Sequence, residues 1–217
     1  MVVLSVLERT AACHPADGRA IPPSGISGDG RTRTRCSAYG PLLRLGRLGE
    51  ASQLLLECQR AFSQENDLQA LGKVLSARAN LESELGHQAE AVELQERALR
   101  YSYLAGDVAT IAVSHFNLAY YRGRMGRRPD ALPHRLAVAL IYFQAESGEL
   151  ASTLTTLGQE LAETAAPASF AELCAAVERV EGVRFRELFE SLPQRAASPE
   201  DALAQVLALA RQQAHGQ

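Results

Sequence analysis

The chain has 217 residues, a formal net charge of −3 and a hydrophobic fraction of 47%. That length suits one globular domain or slightly more, and it is enough to bury a real core. The slight acidity argues against nucleic acid as the main partner, because phosphate binding needs a basic surface.

Residues 1–38 stand apart. The stretch "CHPADGRAIPPSGISGDGRTRTRCS" is rich in Pro, Gly, Ser, Thr and Arg and has no periodic apolar pattern. Pro and Gly interrupt both helix and strand, and the apolar surface is too small to offset ordering entropy. This segment is expected to be disordered, with "RTRTR" a solvated tail. The opening "MVVLSVL" is only seven residues long and lacks a basic flank, so it reads neither as a membrane span nor as a signal peptide. The four cysteines, Cys13, Cys36, Cys58 and Cys174, show no C-x-x-C or zinc-finger spacing. They are read as reduced thiols of a cytoplasmic protein, with Cys58 and Cys174 as small core residues.

Residues 39–165 are helical in pattern, with apolar residues at i, i+3, i+4 and i+7. Within them "LGRLGEASQLLLECQRAFSQEND" starts at Leu45, "LGHQAEAVELQERALRYSYLAGD" at Leu85 and "MGRRPDALPHRLAVALIYFQAES" at Met125. The segments recur every forty residues. Gly46, Gly86 and Gly126 coincide, as do Ala51, Ala91 and Ala131, each preceded by an acid. Asp67 and Asp107 also match. A fixed period of this length marks stacked repeats. The glycine supplies the positive φ of a helix–helix turn, and the alanine allows two helices to cross closely. The unit is a helix, a tight turn, a second helix and an Asp-marked loop. The first unit lacks a full first helix, since "YGPLLRLG" is short and broken by Gly and Pro. An array that opens mid-repeat is expected of a piece of a longer chain. Pro129 fits the first turn of its helix, and Pro133 is placed to distort it.

These positions resemble the tetratricopeptide repeat family. Ala79 and Ala119 match its small first-helix residue, Gly46, Gly86 and Gly126 its turn, and Ala51, Ala91, Ala98 and Ala131 its second-helix small residues. The forty-residue period is similar to the extended variant seen in C-terminal arrays of bacterial regulatory proteins. The resemblance implies a right-handed superhelical array of antiparallel helix pairs whose first helices line a concave groove. It also implies that Lys73, Asn80, Phe116, Asn117, Tyr120 and Arg124 face that groove. Asn117, in "FNLA", resembles the family asparagine that holds a peptide backbone, its amide both donating and accepting.

Residues 166–217 read as a helix capped by Ser169 with Glu172 three later. A break at Gly182 follows, then a short helix through Phe185 and Phe189, and a last helix with Ser198 at its N-cap and Pro199 at N1. They are expected to cap the last repeat. No phosphate loop, zinc-protease or nucleophile-elbow motif is present, and no two of the five histidines lie at i+3 or i+4. The expectation is therefore an all-α, non-enzymatic scaffold for a protein or peptide, without metal or cofactor. A sensory module of a larger regulatory ATPase is the alternative.

Overall fold

The computed structural model describes residues 35–215, so the expected disorder of residues 1–34 lies outside the described residues. The described residues form ten α-helices and no strand. After the short α1 (Tyr39–Arg44) come five helices of near-equal length: α2 (Leu48–Gln64), α3 (Leu68–Glu84), α4 (Gln88–Ala105), α5 (Val108–Arg124) and α6 (Arg128–Gln144). Then follow α7 (Leu150–Leu161), α8 (Phe170–Val177), α9 (Phe185–Ser191) and α10 (Pro199–His215).

Helices α2 to α6 start at 48, 68, 88, 108 and 128, so the physical period is twenty residues, half of the sequence repeat. One device makes all the joints. Gly46, Asn66, Gly86, Gly106, Gly126 and Glu146 all have positive φ. At Gly86 the amide bonds back to the Ser83 carbonyl and the His87 amide to the Glu82 carbonyl. This is the paired closure of a Schellman turn, and the other five joints repeat it. At the first five of these joints the residue after the left-handed position is also the N-cap of the next helix. Asp67 and Asp107 fill that role with side-chain bonds to the Ala70 and Thr110 amides, at 2.9 and 3.1 Å. The triplet Asn66, Gly106 and Glu146 is invisible as a glycine pattern, since only one member is glycine. Asn tolerates the left-handed region at modest cost, whereas Glu146 is held there by its turn.

Each of α3 to α6 packs on the helix before it, and α3 also reaches α5. Ala51, Ala91 and Ala131 are fully buried, as are Ala79 and Ala119, as expected of close crossings. The core has two parts that meet at α3. Val74, Ala77 and Leu81 face α2, while Leu75 and Ala79 belong to the larger cluster around α6. Helix α6 is buried on every side from Ala131 to Gln144, because α5, α7, α8, α9 and α10 all pack on it. The C-terminal helices α7 to α10 thus gather on α6. Ser169 accepts from the Glu172 amide, and Ser198 from the Asp201 amide, both at 3.1 Å.

Two expectations need correction. Cys36 and Cys58 are not free thiols but a disulfide that ties the helical turn at residues 35–36 to α2. Helical structure among the described residues therefore includes positions before residue 39. Pro133 does not interrupt α6, which runs unbroken from Arg128 to Gln144. Its missing N–H removes one bond, that to the Pro129 carbonyl, just beyond the N-terminal amides that are normally unpaired.

Candidate functional site

The six residues expected on a groove separate into two groups. Asn117 is fully buried, and its Nδ2 donates to Ser76 Oγ on α3 at 3.3 Å. Ser76 Oγ in turn donates to Gln95 Oε1 on α4 at 3.0 Å. Asn80 Nδ2 donates to the buried Tyr39 hydroxyl at 3.0 Å. Burial pushes that phenol up to about 12, with the Asn80 bond working against the rise. Phe116 is also buried, its ring covered by the Arg135 guanidinium at 5.0 Å. Arg135 is anchored by Glu160 at 3.1 Å. So Asn80, Asn117 and Phe116 do not face a groove. The two amides join one helix pair to the next. This corrects the reading of Asn117 as a peptide-holding amide.

Lys73, Tyr120 and Arg124 remain at the surface, the first two half-buried and the third exposed. Tyr120 packs edge-on against Tyr121, with centroids 5.6 Å apart. Arg124 reaches back one turn to donate to the Tyr120 hydroxyl at 3.4 Å. Lys73 lies near Asp107. Burial raises that carboxyl, but bonds from Gln69 and Thr110 and the Lys73 charge outweigh it and hold Asp107 below its ordinary range.

The sequence did not reveal the contacts made across facing helices at a separation of nineteen. Ser76 meets Gln95, and forty residues on Phe116 meets Arg135: the same position pair holds a hydrogen bond in one repeat and a cation–ring contact in the next. His115 meets His134 at the same separation, with the two Nδ1 atoms 2.8 Å apart. Tyr103 Oη lies 2.9 Å from His115 Nε2, while His134 Nε2 is buried with no partner. Both rings are fully buried, and Phe185 closes on His115 edge-on at 6.1 Å. Burial, reinforced by the Arg122 charge, pulls His115 down to about 3. Burial and the neighbouring His115 hold His134 well below its ordinary range. Within the Nδ1–Nδ1 bond one ring donates and the other accepts, and burial disfavours a charge on either. These pairs lie near the middle of their helices, where antiparallel neighbours of equal length joined by a tight turn place residues about nineteen apart face to face.

One exposed group at the middle turn has metal-ligand chemistry. Glu82, His87 and Glu90 bring their ligand atoms within 4.8 Å of one another, but His87 Nδ1 already pairs with Glu82 at 2.8 Å. A larger feature sits at the equivalent turn forty residues on. There a cavity of about 510 Å³ opens between the start of α6, the connection through residues 164–167 and α8.

No protein-family model, curated protein or solved structure matches this chain. Among the described residues, no helix is long and apolar enough to cross a membrane.

Proposed function

We propose that the chain is a non-enzymatic, protein-binding scaffold of the tetratricopeptide kind, its helix pairs stacked as a right-handed superhelix. The carrying observation is the twenty-residue register of five near-equal helices, each joint closed by the same turn. Regular stacking of this kind spends sequence on neighbour fit and leaves an extended surface for a partner. The polar bridges Asn117–Ser76 and Asn80–Tyr39 support the same reading, since they lock successive pairs into one register. The contact surface is carried by Lys73, Tyr120 and Arg124. A tyrosine and an arginine meeting at the surface form the amphipathic, planar pair that dominates many interfaces.

Affinity capture from the native cell with mass spectrometry tests this. A Lys73→Ala/Tyr120→Ala/Arg124→Ala variant is expected to lose the proteins that the unaltered chain recovers, with helicity unchanged. Recovery of the same proteins by the variant would remove the surface assignment. A cytoplasmic location belongs to the same proposal; the Cys36–Cys58 bond weighs against it, and the same lysate tests it. With thiols quenched at lysis, alkylation of both Cys36 and Cys58 supports a reducing compartment. A Cys36–Cys58 bond surviving the quench opposes it.

A further inference from the structure

The cavity at the third turn differs in chemistry from the two turns it repeats. Positions 42, 82 and 122 hold Leu, Glu and Arg; positions 47, 87 and 127 hold Arg, His and Arg; positions 50, 90 and 130 hold Glu, Glu and Asp. Only the third turn doubles its guanidinium, and the turn just past α8 adds Arg179 to the same cavity. The three arginines are held differently. Arg122 is mostly buried and fixed, donating to Glu96 Oε1 at 2.7 Å and to the Asp130 carbonyl at 3.1 Å. Arg127 is half exposed and pairs with Asp130 at 2.8 Å. A surface pair of this kind contributes little and exchanges readily. Arg179 is exposed and, among the described residues, makes no hydrogen bond or ion pair. Two exposed guanidiniums therefore stand over a cavity whose remaining wall is largely apolar, through Leu132, Pro133, Ala166 and Pro167. Its volume falls within the range of small-ligand sites.

The charge of the cavity limits the anion. Asp130 and Glu172 also line it, so a multiply charged phosphate would meet two carboxylates. A single carboxylate on an apolar body meets the arginine forks, which match its planar geometry in bidentate fashion, and buries its body on the alanine and proline wall.

We propose that this cavity binds a monocarboxylate with an apolar body, supplied by a small organic acid or by an acidic side chain between apolar residues of a peptide. The assignment is independent of the scaffold reading, which uses a different surface.

Protein-observed NMR or calorimetry on the full chain tests it with three probes: hexanoate, inorganic phosphate and the blocked tripeptide acetyl-Leu-Glu-Leu-amide. Hexanoate or the tripeptide is expected to bind saturably, and more weakly as salt rises. The probe that binds identifies the source. Phosphate is expected to bind at least tenfold more weakly. Arg179→Gln, at an exposed site where folding is not at risk, is expected to weaken the carboxylate at least tenfold, and Ala176→Leu, which fills the cavity, to do the same. The proposal is overturned if neither carboxylate saturates, if phosphate binds equally well, or if Arg179→Gln leaves affinity unchanged.

Discussion

The His115–His134 pair carries a measurable consequence at the scale of single residues. Both rings are neutral in the fold because burial penalises the charged form. In the unfolded chain a histidine takes its proton near its ordinary value of about 6.5. Above that value neither state binds a proton there and the pair contributes nothing to pH dependence. Below it, the unfolded chain gains protons that the fold excludes, so stability falls as pH drops from about 6.5 towards about 3, where His115 itself titrates. Each excluded proton steepens the loss by up to about 1.4 kcal/mol per pH unit. The surrounding elements do not relieve it: α4 offers the neutral Tyr103 hydroxyl, α5 the positive Arg122, and α9 the ring of Phe185. Urea unfolding between pH 7 and 4.5 should show this slope, and His134→Leu should roughly halve the histidine share of it. An unchanged slope in the variant would remove the pair as its origin. Asn117 belongs to the same scale. With its amide given to Ser76, its replacement acts first on stability.

Helix crossings decide the next scale. Gly158, on α7, is buried, and a Cβ there would run into the Ala210 carbonyl of α10. Gly49, on α2, is exposed, with nothing near the place a Cβ would occupy. Helix propensity alone favours alanine over glycine by about 1 kcal/mol at both sites. At Gly49 that gain stands, so Gly49→Ala is expected to stabilise by up to about 1 kcal/mol. At Gly158 overpacking of about 1–3 kcal/mol or more opposes it, and Gly158→Ala is expected to destabilise. Opposite signs in chemical denaturation are the expected result; the same sign would mean that α10 is not seated on α7. This contrast also shows how far the sequence can be read. Gly46, Gly86 and Gly126 announced their turns because a left-handed residue favours glycine. Glu146 did not announce its turn, since the same conformation was imposed there on an ordinary residue. The capping serines and the repeat alanines were legible because their roles depend on local spacing. Gly158 and the facing histidines were not, because their partners are set by how helices meet in space. The groove reading of Asn117 failed for a related reason. A polar residue on a first helix can face a partner or the neighbouring pair, and the helical period alone does not distinguish them.

Across the whole molecule, the two ends of the array are held unequally. Helix α2 buries a single stripe, Ala51, Leu55, Cys58 and Phe62, and among the described residues packs mainly on α1 and α3. Helix α6 buries every residue from Ala131 to Gln144 under five other helices. In a stack where each element mainly contacts its neighbours, stability is close to a sum of local terms, and ends can open without the middle. Opening α1 and α2 exposes only the smaller core cluster, whereas opening α6 exposes the larger one from α3 to α10. Native-state hydrogen exchange should therefore rank the helices. Amides of α2 are expected to exchange through a local opening well below the global unfolding free energy, and those of α6 only on global unfolding. The Cys36–Cys58 bond narrows the difference, because it closes a loop across the edge that frays, with a sequence separation of 22 residues. A loop of that size restricts the opened state by about 3 kcal/mol in the chain-entropy account. Reduction should therefore speed exchange in α1 and α2 by about a hundredfold for that energy and leave α6 nearly unchanged. Equal acceleration in both would mean that the stack opens as one unit. No acceleration in α2 would mean that its exchange does not pass through release of the residues tied to Cys58.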